Sequence, residues 1–126
     1  MSESPKHECA YGGDLKLIFT CSGAADVGGV SDQAGRELTR QGAGKMFCLA
    51  GVGGRVPGIM DTTRSAKTIL AIDGCSTHCV KECLLQAGFT QFEHLSLTEL
   101  DMPKGKTEAN TENINKVVAA AVAKLA

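Results

Sequence analysis

Tryptophan is absent from these 126 residues, tyrosine occurs once, and aromatic side chains make up only 4% of the chain. Few rings are on hand to stack against bases, which argues against a single-stranded nucleic acid as ligand. Lysine and arginine are nowhere clustered and the formal net charge is -1, so the electrostatic footprint of a nucleic-acid or anionic-membrane surface is missing too. No apolar run approaches the roughly 20 residues that cross a bilayer, and the stretch from Met1 to Cys9 has no apolar core of a secretory signal. The expectation is a cytoplasmic protein with no nucleic-acid and no membrane partner. Phosphate chemistry finds no foothold either. A phosphatase-like Cys-x5-Arg loop starting at Cys21 would need arginine where Val27 stands, and no lysine follows the glycines of that loop. The turn from Cys48 to Gly54 lacks the full glycine fingerprint of a dinucleotide site.

Cysteine is what the chain has instead. There are six, and those at positions 21, 48 and 75 are spaced 27 residues apart. In cytosol thiols stay reduced, so six cysteines argue for metal or redox chemistry rather than a disulfide framework. Isolated cysteines also serve as small buried hydrophobes, but random burial does not produce equal spacing.

A period near 30 residues is the length of one strand-plus-helix unit, and the apolar runs fall in step with it. Leu15 to Thr20, Lys45 to Ala50, Thr68 to Asp73 and Gln91 to Leu97 read as strands. Helices are expected from Ser31 or Asp32 to about Gln41, from Pro57 to about Ala66, from about Gly74 to Gly88, and from a Thr107 cap onward. This order predicts an α/β fold: a single doubly wound domain with a four-stranded parallel sheet, strand order 2-1-3-4, and helices on both faces. Residues 1–13 are polar and read as an N-terminal arm, and residues 14–126 as the domain. Because parallel strands point one way, residues in the same phase of successive units collect at the carboxyl edge, where open α/β sheets hold their ligands.

Cys79 lies one helical turn after Cys75, so both can face the same ion. Cys21 and Cys48 can close the set from the two neighbouring loops. Four thiolates at ~2.3 Å suit structural zinc, and Cys21, Cys48, Cys75 and Cys79 are the expected metal ligands. Backbone N–H groups in the glycine-rich turns and at the helix start near Cys75 would offset the thiolate charge. His78 reads as a solvated or capping residue and Cys83 as structural filling. Asp73 could accept loop N–H groups or orient a thiol, and Asp26 is a further supporting candidate; Cys9 and His7 sit on the arm. Two alternatives stay open. Cys75 could be a helix-start nucleophile resolved by Cys79 or Cys21, as in persulfide transfer or disulfide reduction. Four thiolates could also hold an iron–sulfur cluster.

Between Ile72 and Cys79 the chain reads Ile-Asp-Gly-Cys-Ser-Thr-His-Cys. Together with Cys21-Ser-Gly-Ala-Ala-Asp-Val-Gly28, the Cys48-Leu-Ala50 opening and Gly88, it resembles the DGC-domain family of small zinc-binding proteins, named for Asp-Gly-Cys. The similarity runs from about Leu15 to Leu100. It implies four zinc-ligating cysteines, which map onto Cys21, Cys48, Cys75 and Cys79, and it implies no reaction. Cys83 is an additional thiol relative to the family's pattern.

Overall fold

The computed structural model describes residues 14–126; the arm expected over 1–13, with His7 and Cys9, lies outside the described residues. The four apolar runs form β1 (Lys16–Thr20), β2 (Lys45–Met46), β3 (Thr68–Asp73) and β4 (Glu93–Ser96). All pair in parallel in the order β2-β1-β3-β4. The helices are α1 (Asp26–Arg40), α2 (Leu49–Gly53), α3 (Pro57–Ser65), α4 (Cys79–Gln86) and α5 (Thr111–Leu125), and Leu97–Leu100 form a 3-10 turn. Among the described residues no helix is long and apolar enough to cross a membrane.

The strands are apolar on both faces because both faces are covered. Ile18, Leu70, Ile72 and Leu95 pack under α1 and α5, against Val27, Val30, Leu38, Val117 and Ala121. The alternate residues Leu17, Phe19 and Ala71 point the other way, toward Val52 of α2, Met60 of α3, and Val80 and Leu84 of α4. Burying each large side chain of this kind contributes roughly 1.5–3 kcal/mol. This is the expected doubly wound α/β architecture.

Three of the boundaries that differ from the sequence reading do so for reasons of packing. Helix α1 starts at Asp26, well before Ser31, because the Asp26 carboxylate accepts N–H groups from its own first turn and from a distant segment: Val27 at 2.8 Å, Gly105 at 2.9 Å and Thr107 at 2.9 Å. Gly28 and Gly29 are therefore helical, and at Gly28 a Cβ would lie only 2.4 Å from the Gly23 carbonyl oxygen, so the loop folds tightly across the helix. Ser31, freed from capping, donates its hydroxyl to the Cys21 carbonyl. Strand β2 stops at Met46, and Cys48 lies outside it as the cap of the short helix α2. Helix α5 is capped by Asn110, whose side chain accepts the Asn113 N–H at 2.8 Å, while the Thr107 hydroxyl donates to the Pro103 carbonyl at 2.7 Å.

Candidate metal and thiol site

At the carboxyl edge, Cys21 continues the direction of β1: its N–H donates to the Ile72 carbonyl at 2.9 Å. Its side chain keeps the phase of Leu17 and Phe19 and packs against the core under α2 and α4. Cys48 follows β2, and its Sγ accepts the Gly51 N–H at 3.3 Å. Cys79 is the first residue of α4, and Cys83 stands one turn further, its thiol 3.9 Å from the Leu49 carbonyl oxygen. Cys48, Cys79 and Cys83 line one cavity of about 600 Å³ between α2 and α4, together with Thr20, Phe47 and Leu49. None of the described residues lining it is charged. Burial pushes the Cys83 thiol above its ordinary pKa; nearby Arg55 opposes this and the neighbouring Cys79 adds to it. Arg55 also ties the two helices together, donating to the carbonyls of Val52 at 2.9 Å, Gly53 at 3.0 Å and Gln86 at 2.8 Å.

Cys75 is placed differently. It sits in the bend between β3 and α4, not at a helix start, and packs against the core under α1 and α5. Its Sγ is 3.5 Å from Thr77 Oγ1. Hydrogen bonds from the Thr77 side chain and backbone, with the Lys104 charge behind them, hold its pKa below the ordinary thiol value. The equal spacing thus brings the cysteines to one edge, with Cys48 and Cys79 on one cavity and Cys75 on the far side of the sheet from them.

What holds α4 in place is a carboxylate. Asp73 is 1% exposed. Its oxygens accept the Val80 N–H at 2.7 Å and the Lys81 N–H at 3.2 Å, and His94 Nε2 lies 2.8 Å away. Asp73 therefore does the capping, while His78 occupies the cap position in left-handed backbone (φ 57) with its ring edge-on to His94 at 4.9 Å. Asp26, considered as support for the site, instead joins α1 to the 103–107 segment. The sequence reading took Cys83 as filling, although its position four residues after Cys79 already put both on one helix face. His94 carried no signal at all, since its partner is reached only through sheet pairing.

Thiolates are the preferred ligands of a thiophilic ion such as zinc, and no carboxylate is among the described residues lining the cavity. Among the described residues no three His, Cys, Asp or Glu side chains stand close enough together to hold an ion. The arrangement is an open one, with donors on the cavity wall.

A family model described as the DGC domain matches residues 17–121. The chain is 40% identical over 90 residues to the anaerobic and virulence modulator AnvM of Pseudomonas aeruginosa, an overlap of 71% of this chain and 69% of that one. No solved structure matches the chain.

Proposed function

This chain belongs to the DGC-domain family, and on that premise we propose that the cavity between α2 and α4 is a thiolate metal site that takes zinc. The observation that carries the reading is that Cys48, Cys79 and Cys83 share one cavity at the carboxyl edge. Cys21, packed on the same side of the sheet, is the fourth ligand of this proposal. Cys75, assigned to the set from its spacing, packs instead against the core under α1 and α5. Bound there, zinc would supply a redox-inert centre that cross-links two loops and a helix.

The chain's own groups prepare that centre. The Gly51 N–H donates to Cys48 Sγ and fixes where that sulfur sits on the cavity wall. The amides of Val80 and Lys81 donate to Asp73, which fixes the start of α4 and with it the position of Cys79. For the whole protein we propose a modulatory role, as the name of the Pseudomonas aeruginosa relative has it. Oxygen-sensitive thiolates are suited to a protein acting without oxygen. A second reading has one observation in its favour: the lowered pKa and separate position of Cys75 fit a thiol nucleophile outside the cavity.

Elemental analysis of protein purified under reducing, metal-replete conditions tests the proposal, beside a thiol count before and after chelation. The expectation is about one zinc per chain. Cys48→Ser and Cys79→Ser lose it, Cys83→Ser weakens it, and Cys75→Ser keeps it. Because metal binding energy contributes to folding, the variants that lose zinc also melt below wild type. Wild type free of metal under these conditions would overturn the zinc reading. Loss of metal from Cys75→Ser, with metal retained by Cys83→Ser, would favour the set expected from spacing.

A further inference from the structure

Cys48 lines two cavities, and the second has no part in the zinc reading. It measures about 570 Å³ and is walled by Arg36, Thr39 and Arg40 of α1 and by Met46, Phe47 and Cys48 at the end of β2. Helix α1 lies close over this edge of the sheet because Gly35 has no side chain; a Cβ there would stand 2.6 Å from Thr20 Cγ2. Arg36 and Arg40, one turn apart, are therefore carried to the rim beside Cys48. Their side chains are 57% and 62% exposed.

Each guanidinium is steadied by a carboxylate on its own helix. Asp32 accepts Arg36 Nε at 2.9 Å, and Glu37 accepts Arg40 Nε at 2.9 Å and lies 2.8 Å from its Nη2. A guanidinium has five N–H donors in a planar fork, so both keep donors for a visiting anion. The Thr39 hydroxyl is already engaged, donating to the Gly35 carbonyl at 2.9 Å and accepting the Met46 N–H at 2.8 Å. Met46 and Phe47 supply an apolar floor, with the Phe47 ring edge-on to Phe19 at 6.1 Å. Cys48 is exposed. Two cationic forks, an apolar floor and a reachable thiol together describe a site for a small molecule with carboxylates at one end and sulfur at the other.

We propose that this cavity binds a carboxylate-bearing low-molecular-mass disulfide and directs its sulfur to Cys48. In the metal-free protein the Cys48 thiolate attacks one sulfur of the disulfide. A Cys48–sulfur bond forms, the disulfide's own S–S bond breaks, and the other half leaves as a thiolate that takes up a proton equivalent to the one Cys48 lost. Cys48 is oxidised to a mixed disulfide and the departing half is reduced, so the small disulfide is the only oxidant needed. The free thiol of the same molecule reverses the step.

The test uses metal-free protein, so its outcome is separate from that of the zinc reading. Glutathione disulfide serves as the anionic probe and bis(2-hydroxyethyl) disulfide as the neutral one, with adducts assigned to individual cysteines by peptide mass spectrometry. Wild type is compared with Arg36→Gln/Arg40→Gln, whose fold is checked by thermal melting. The expected result is a dominant Cys48 adduct with the anionic probe, forming about tenfold more slowly in the double variant. The neutral probe reacts equally with both proteins, and the anionic preference shrinks as salt is raised. Should the double variant melt below wild type, the two single variants supply the same comparison. Equal Cys48 rates with the anionic probe in wild type and variant, or adducts formed mainly on another cysteine, would overturn the proposal.

Discussion

At the residue scale, the thiols differ because their surroundings differ. Cys75 has hydrogen bonds from Thr77 and the charge of Lys104 to favour its ionised form, and its pKa lies below the ordinary value. Cys83 is pushed the other way, mainly by burial. Since the thiolate is the reactive species, iodoacetamide near neutral pH should label Cys75 ahead of Cys83 in the metal-free chain. Mass spectrometry of the labelled peptides over time reads the order directly, and Lys104→Gln should slow Cys75 modestly. Cys83 reacting as fast as Cys75 would contradict this account of the two environments. Cys83 was legible as a neighbour of Cys79 from helical spacing alone. The displacement of Cys75 was not, because a bend after a strand has no fixed period from which to project a side chain.

At the element scale, α4 is held by a carboxylate from β3 and a histidine from β4. Asp73 is buried with three partners: two helix amides and the His94 ring. Removing a partner from a buried polar group leaves it unsatisfied, at a cost of about 1–3 kcal/mol. His94→Ala should fall in the lower part of that range and Asp73→Ala in the upper part, since it frees both helix amides and the ring. Urea denaturation measures both, and amide exchange at Val80 and Lys81 should quicken in each. Stability and exchange unchanged in Asp73→Ala would show that α4 does not depend on this cap. Sequence reasoning assigned Asp73 an N–H-accepting role. The histidine was out of reach, since His94 comes beside Asp73 only through the β3–β4 register that pairs Ala71 with His94.

Across the whole molecule, Asp26 clamps the start of α1 to the segment that leads into α5. Its pKa is lowered chiefly by the Gly105 N–H, then by that of Thr107, with burial opposing them. A carboxyl whose folded-state pKa lies below its unfolded value of 3.8 adds stability above that value and loses it as pH falls through the folded value. Wild type should therefore exceed Asp26→Asn in urea midpoint near neutral pH, and the gap should close below about pH 4. A gap that stays constant into acid would mean that the charge of Asp26 plays no part in the clamp.

Much of the architecture could be read from the chain because it rests on local periodicity. Apolar runs recurring with a constant phase are enough to order strands and helices, and parallel strands necessarily bring equivalent positions to one edge. The β2-β1-β3-β4 order, the two covered faces and the gathering of thiols at the carboxyl edge were determined at that level. So was membership of the DGC-domain family, through the residues around Asp73, Gly74 and Cys75. Tertiary structure decided which thiols line one cavity. Cys48 left its strand to cap α2, the Asp73 cap started α4 at Cys79, and the turn of that helix brought Cys83 to the cavity while the bend kept Cys75 under α1. Strand phase predicts where a side chain points only while the strand lasts. Beyond its end the direction is set by the amides, carboxylates and helices that happen to pack there, and these come together only when the chain is folded.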